Sequence, residues 1–455
     1  MTAPIHFESI EYRVVVVVPA SRKVLMCRSN GSLGLLRVTI PVKARPARHL
    51  CRALRSIWGL SVLILDHLAS SSPCVVAELI DGRNSWSFHP VDIAEIPSTE
   101  LSDEERAFLT KLLAGEGTAP CARIGWIDEA IGWIVQTTGQ RPCPKDEIEQ
   151  FNAGGPFALL RFPMLTGNSY WLKATGGTNA HERRLTQVLS DLASDSLPKF
   201  LSAKATWNAW LTVSQAQSLS AMPTELNELL ELLGAAVETL ASLQTKTAGK
   251  ESVLLEAGAF DQRLSAMRGQ AGALFDHVAE AMALQTSTKA PKLKPQRVVE
   301  IQRVFEDACR WAESHAIPET IIHNDMNLGN LAFTEHKHSC QLLDWAEGCV
   351  GHPLVTLEHL LLLNPIAEPH TRSLVNRALK DRYRFAMREV CDPSAIEEGF
   401  RFAPLLAAAS TLYGRGAWLL SGTPCTESRY AYSRMLARYM DRAATDLSLQ
   451  EASCH

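Results

Sequence analysis

The 455-residue chain is short of several things, and each shortage removes a class of function. It has no long apolar run free of charge: the two longest candidates, residues 354–363 and 403–420, are interrupted by Glu358 and Arg415. A bilayer-spanning helix needs about 20 apolar residues in a row, so no membrane segment is expected. Charge of one sign is scarce too. A formal net charge of −4 and a pI near 6.4 give no basic field to attract nucleic acid. The eleven cysteines are odd in number and have neither C-x-x-C pairs nor regular spacing. That argues against a disulfide framework or a zinc site and for free thiols in a reducing cytosol. No charged segment followed by an apolar core opens the chain, so no signal peptide is expected and a cytoplasmic location is. There is no Gly-x-x-x-x-Gly-Lys-Ser/Thr loop, and no repeat of solenoid period.

What is present is the composition of a soluble globular protein, 46% apolar and 21% charged. The length calls for two or three domains. Residues 1–118 read as a small α+β unit. Residues 12–19 and 23–29 are strand runs close enough to form a hairpin. Residues 46–58 read as a helix with Leu50, Leu54 and Ile57 on one face, 61–65 as a strand, and 98–115 as a short acidic helix. Residues 118–120 make a plausible linker. Beyond it, 126–135 is an amphipathic helix, 157–162 and 169–174 are strands, and 179–192 is a helix. Residues 206–213 are strand-like. A strong helix covers 225–243, with Leu226, Leu229, Leu230, Leu233, Val237 and Leu240 tracing one face. The chain is mostly helical after residue 350.

The densest signal is Ile-Ile-His-Asn-Asp-Met-Asn-Leu-Gly-Asn at 321–330, followed by Asp344-Trp345. Asp325 follows a β-type run and falls on a tight loop. Asn330 closes that loop and opens a second run, and residues 335–339 form a turn. Residues 340–345 return as a strand, so the hairpin brings Asp344 beside Asn330. Mg²⁺ wants hard oxygen ligands and usually takes one or two from the protein, with phosphates and water supplying the rest. Asn330 and Asp344 can supply that, which leaves Asp325 free to accept a proton from a hydroxyl.

These residues resemble the signature of the aminoglycoside phosphotransferases and the choline-kinase-like small-molecule kinases: His-Gly-Asp, four residues, Asn, then a strand ending in Asp. Asn324 stands where the family has Gly, a position that supplies no catalytic atom. The resemblance implies a two-lobed protein-kinase-like fold, α+β, with a small lobe over 121–215 and a mostly helical large lobe over 216–455. It also implies ATP or GTP as co-substrate, Mg²⁺, and transfer of the γ-phosphoryl group to a hydroxyl of a small molecule, aminoglycoside-, choline- or sugar-like. Lys173, flanked by apolar residues in a strand, is the lysine such a fold uses on the phosphates, and Glu182 on the following helix is its partner. Gly154 and Gly155 let backbone N–H groups approach phosphate oxygens. The adenine is expected against residues 210–213. Glu347, and the segment reaching Glu358, lie where the family builds its acceptor pocket; Glu347 either meets a cationic group of the acceptor or holds the loop. His323 reads as a structural bridge. His336, His338 and His352 lack the spacing of a zinc site.

The first unit is similar to a Nudix domain. In Arg-Ala-Leu-Arg-Ser-Ile-Trp-Gly-Leu at 52–60, Arg52, Leu54, Gly59 and Leu60 match that family's pattern. Ala53, Ser56 and Ile57 stand where its Mg²⁺-binding glutamates belong, and the upstream Gly and Glu are replaced near Val38 and Ala44. The resemblance implies a small Nudix-like α/β shell without hydrolase activity. With every phosphotransfer residue after the linker, a piece from 121 to 455 is expected to hold a complete core. The rival reading is a nucleotide-binding pseudokinase, a regulatory protein without turnover.

Overall fold

The computed structural model describes residues 9–29, 32–42, 46–68, 72–82, 88–154, 157–165, 167–334, 339–419 and 425–453. Ala44, Gly155, His336 and His338 lie outside them, as do Thr166 and most of the 335–339 turn. The chain is a mixture of helix and sheet and divides into two compact units. One comprises residues 1–183 and 199–215, the other 184–198 and 216–455.

The first unit opens with a seven-stranded mixed sheet. Its strands are β1 (Ser9–Val17), β2 (Val24–Ser29), β3 (Ser32–Gly34), β4 (Leu36–Pro41), β5 (Leu60–Leu68), β6 (Cys74–Gly82) and β7 (Phe88–Val91). β1 is central: it pairs antiparallel with β2 and β4 and parallel with β6. Its run of valines is buried on both faces, as a strand at the middle of a covered sheet requires. Helix α1 (Pro46–Trp58) covers one face with Ala47, Leu50 and Leu54. Ile57, expected on that buried face, is 60% exposed. Three residues after Leu54 the 100° step carries it past the edge of the apolar stripe. Helix α2 (Asp103–Leu113) covers the other face with Leu109, Leu112 and Leu113. Its N-terminus is closed by a reciprocal Ser102–Glu105 cap. Glu105 also forms a buried ion pair with Arg13 at 2.5 Å.

The same unit continues into α3 (Trp126–Thr138) and an antiparallel sheet in the order β11-β12-β10-β9-β8. These strands are β8 (Glu149–Asn152), β9 (Phe157–Pro163), β10 (Ser169–Thr175), β11 (Lys199–Lys204) and β12 (Ala209–Val213). The boundary placed near residues 118–120 is crossed by specific contacts. The Gln150 side chain pairs with the backbone of Ile64 as a strand would, accepting from its N–H at 2.8 Å and donating to its carbonyl at 2.8 Å. Glu78 accepts from Gly125 N–H, the residue that caps α3, at 2.9 Å. Leu63 shares a core with Trp126, Ile127, Leu160 and Leu172. The sheet of residues 1–118 and the sheet of 121–183 and 199–215 therefore belong to one compact unit, while 184–198 fall in the other.

Helix α4 (Glu182–Leu192) leads into the second unit, where Leu185 and Leu189 join the larger core. There α5 (Leu226–Thr247) buries Leu229, Leu233, Val237 and Leu240, while Leu226 at its first turn is 41% exposed. The short α6 (Glu251–Glu256) precedes β13 (Phe260–Gln262), α7 (Leu264–Gly269), α8 (Ala271–Ala283) and α9 (Pro295–Ser314). Then come β14 (Thr320–His323), β15 (Leu331–Phe333), β16 (Cys340–Leu342) and β17 (Gly348–Gly351). The rest is helical: α10 (Leu354–Leu361), α11 (Pro369–Met387), α12 (Pro393–Gly399), α13 (Ala403–Tyr413) and α14 (Glu427–Ser453). β14 pairs with β17 and β15 with β16, both antiparallel. Among the described residues no helix is long and apolar enough to cross a membrane.

Candidate active site

In the second unit the polar motif is held between two small sheets. β14 is fully buried and ends at His323, so the chain emerges from the core with Asn324 and Asp325. Asp325 is exposed and its neighbour in the motif, Asn330, is only 5% exposed. A buried amide must be satisfied or it costs on the order of 1–3 kcal/mol. Asn330 Nδ2 donates to the Asp325 carbonyl at 2.7 Å and lies 3.4 Å from Asp325 Oδ2. That turns the amide oxygen the other way, as a hard neutral ligand. Leu343 N–H donates to Asn330 carbonyl at 2.9 Å, so the residue before Asp344 is tied directly to Asn330. The expected hairpin is present, but the strand stops at Leu342. At Asp344 the backbone turns left-handed, φ 62° and ψ 77°, which swings the chain out of the ladder and into the Trp345–Glu347 turn.

His323 ties the two strands together. Its Nε2–H donates to Leu343 carbonyl at 2.7 Å, and its backbone N–H donates to Thr356 Oγ1 at 2.8 Å. Burial pushes its pKa below the usual histidine value, against the opposing fields of Asp344 and Asp325, so the ring is neutral. With Nε2 donating and Nδ1 buried without a partner among the described residues, it ties the two segments together. His352 is buried, and burial lowers its pKa to about 4.

Two ties come from residues that the sequence offered no reason to connect. Asn324 Nδ2 donates to Ser410 carbonyl at 3.3 Å, and Ser410 Oγ donates to Asn324 Oδ1 at 3.1 Å. Ser410 also bonds Gln262, whose amide donates to Gly414 carbonyl at 2.5 Å. The next residue, Arg415, grips both carboxylate oxygens of Glu347 at 2.5–3.1 Å and donates to Ala346 carbonyl at 3.3 Å. The end of α13 thus holds the Asp325 loop through Asn324 and the Asp344 turn through Glu347. Gly416 takes φ 74°, and a Cβ there would meet the Tyr413 ring at 2.7 Å, so the hook around Arg415 needs glycine. The one sequence signal was Gly-Arg-Gly at 414–416, after an apolar helix that an arginine interrupts. Glu358 forms its ion pair with Lys380 at 3.2 Å, and burial raises its pKa.

In the first unit Lys173 and Glu182 meet. Lys173 Nζ lies 2.5 Å from Glu182 Oε1, with side-chain exposures of 12% and 1%. A pair this buried is held by geometry as well as charge. The ammonium also lies 4.9 Å from the Phe157 ring centroid and 5.7 Å from that of Trp210. Trp210 is its cross-strand neighbour on β12, on the segment expected to meet adenine. Gly154 precedes β9 with φ 122°, a conformation open to glycine alone, and a Cβ there would sit 3.3 Å from the His67 ring.

The donor set suits one class of cation. Among the described residues no group of three or more His, Cys, Asp and Glu side chains is arranged to hold a metal. One amide oxygen and one carboxylate are what Mg²⁺ takes from a protein when phosphates complete its shell.

Residues 178–391 match the family model described as the phosphotransferase enzyme family. That segment contains Glu182, Asp325, Asn330, Asp344 and Glu347; Gly154 and Lys173 precede it. No curated protein matches the chain. Among solved structures it is similar to a macrolide 2'-phosphotransferase from Brachybacterium faecium, at 13% identity over 69% of this chain and 97% of that one. It is also similar to a putative fructosamine-3-kinase from Thermobifida fusca, at 16% identity over 70% and 99%. A third is a choline kinase from Streptococcus pneumoniae, at 11% identity over 70% and 99%. The TM-score is 0.42 in all three cases, a likeness too slight to argue from. What can be said rests on the family match and on the residues it contains: residues 178–391 match the phosphotransferase enzyme family.

Proposed function

We propose that the chain is a small-molecule kinase that moves the γ-phosphoryl group of ATP or GTP to a hydroxyl. The observation that carries this reading is the locked pair of loops in the second unit. Asn330 is bonded to Asp325 through its side chain and to Leu343 through its backbone, so a base and two oxygen ligands come from one rigid frame. Asp325, exposed and acceptor-only when ionised, orients the hydroxyl and takes its proton as the phosphoryl group arrives. Asn330 and Asp344 would hold Mg²⁺, which when bound neutralises charge on the phosphates. In the first unit Lys173, aimed by Glu182, steadies the α and β phosphates, and Gly154 offers a backbone N–H group to them. Such transfer is mostly positioning and charge neutralisation, which these groups supply. Glu347, already gripped by Arg415, holds the turn; an acceptor cation would have to compete with a guanidinium for it.

Residues 1–118 form, in this reading, a Nudix-like shell without hydrolase chemistry. The acceptor class is aminoglycoside-, choline- or sugar-like. The test is ATP and GTP turnover with Mg²⁺ across hydroxylated metabolites, choline and aminoglycosides, on the wild type and on Asp325→Asn. Turnover on at least one acceptor, falling about 10²-fold or more in the variant, is expected. A folded wild type that binds Mg·ATP and phosphorylates nothing establishes the regulatory reading instead. Near-normal turnover in Asp325→Asn removes Asp325 as the base.

A further inference from the structure

Helix α1 presents a basic face to a cleft that the transfer reaction does not use. The helix carries Arg48, His49, Arg52 and Arg55 and no acidic residue anywhere. Arg48, Arg52 and Arg55 line a cavity of about 100 Å³ together with Ser61 and Val62 of β5 and with Lys145, Asp146, Glu149 and Gln150. Four cations and two acids, Asp146 and Glu149, face this space. Both acids are already engaged by arginines. Arg55 donates to Asp146, to its carbonyl at 2.9 Å and to Oδ2 at 3.4 Å, and Arg161 pairs with Glu149 at 3.6 Å. Arg48 lies 4.5 Å over the Phe151 ring, which holds its guanidinium in place at the cleft. Arg52 is exposed, and among the described residues no hydrogen bond or ion pair of its guanidinium is found. The floor is rigid, because Gln150 is bonded twice to Ile64.

We propose that this cleft binds a phosphate-bearing small molecule, its phosphoryl group received by Arg48 and Arg52 with the Ser61 hydroxyl as a further donor. The cleft is open on one side and its space of about 100 Å³ is ample for one tetrahedral oxyanion, with the remainder of the molecule lying outside. Planar guanidinium forks match phosphate oxygens two at a time, which a bare field of lysines does not. A cation-coordinating role fails on the same residues: where carboxylates would be needed, α1 offers Ala53, Ser56 and Ile57.

The test is calorimetric titration of the full-length protein, without Mg²⁺ and at low ionic strength, with inorganic phosphate and with glycerol 3-phosphate. One saturable site is expected, weakening as salt is raised. Arg52→Gln and Arg48→Gln should each lower affinity at least tenfold, Arg52→Lys less. Asp344→Ala and Arg388→Gln, a surface arginine just past the end of α11, should leave it unchanged. Equal affinity for both probes assigns the site to free phosphate, and tighter binding of the ester assigns it to a phosphorylated metabolite. Absence of saturable binding overturns the proposal, as does binding indifferent to Arg48 and Arg52. So does binding that disappears in Asp344→Ala, which would place the phosphate in the transfer site. Arg52 is exposed and its replacement removes no buried contact, so a loss of binding in that variant is not a loss of fold.

Discussion

In sequence, helix α1 resembles the outline of a metal-binding pattern, and the loop from His323 to Asp344 carries the proposed metal ligands; the two differ in what they bury. In α1 the apolar frame is intact: Leu50, Leu54 and the following Leu60 are all buried. The positions where acids would stand are half-buried or exposed and carry Ala53, Ser56 and Ile57. In the loop the frame is intact as well, but polar groups go in with it. His323 is 1% exposed, Asn330 5%, and each is bonded to a backbone carbonyl, His323 to that of Leu343 just past β16 and Asn330 to that of Asp325 in the loop. The comparison separates two jobs. Apolar spacing is enough to keep a fold, whereas buried polar atoms held by specific hydrogen bonds keep a geometry, which is what the proposed transfer chemistry needs.

The sharpest way to break the comparison is to remove the first region altogether. A piece from 121 to 455 retains every proposed transfer residue, yet it strips Gln150 of both partners and opens the core around Trp126 and Leu160. We expect it to lose cooperative unfolding of the small-lobe sheet and to bind Mg·ATP poorly. A sharp unfolding transition and wild-type nucleotide affinity in that piece would show the two sheets to be independent. Next in size is Asp344→Ala. With a carboxylate ligand gone, nucleotide affinity should become weak and largely indifferent to Mg²⁺, and turnover should drop about 10²-fold or more. Calorimetry showing undiminished Mg·ATP affinity counts against the metal site.

A smaller effect is expected from Arg415→Gln, which releases the Asp344 turn without touching a ligand. Turnover should fall roughly tenfold, with the Mg²⁺ concentration for half-maximal rate raised and KM for the acceptor little changed. Arg415→Lys should recover part of the loss. A rise in acceptor KM with unchanged Mg²⁺ dependence would make Arg415 and Glu347 acceptor-binding groups instead. The smallest expected effect is none at all: the protein should not hydrolyse nucleoside diphosphate derivatives with Mg²⁺. Activity there that survives Asp344→Ala would show that α1 still works as a metal site.

Much of this was legible in the sequence wherever the signal is local. The bounds of α1, the β14 run and the 321–330 loop follow from spacing and residue type, and the pairing of Lys173 with Glu182 from the resemblance to a kinase-like fold. β11 was missed because Lys-Phe-Leu-Ser-Ala-Lys has no fully buried position and therefore no clean alternation. Ser410, Gln262 and Arg415 were missed for another reason. They reach the loop across 68 to 148 residues of chain, and a single sequence gives no distance between such positions. The same holds for Gln150 and Ile64, 86 apart, whose contact joins what composition had divided.

The left-handed backbone at Asp344 has a consequence for the melting temperature. A side chain in that region costs on the order of 1 kcal/mol, which glycine does not incur. Asp344→Gly and Asp344→Ala should be equally dead as enzymes, yet the glycine variant should unfold at the higher temperature. Equal melting points would mean the turn is at ease. If they differ as expected, the aspartate proposed to hold Mg²⁺ is being kept where the chain, left to its own preferences, would relax.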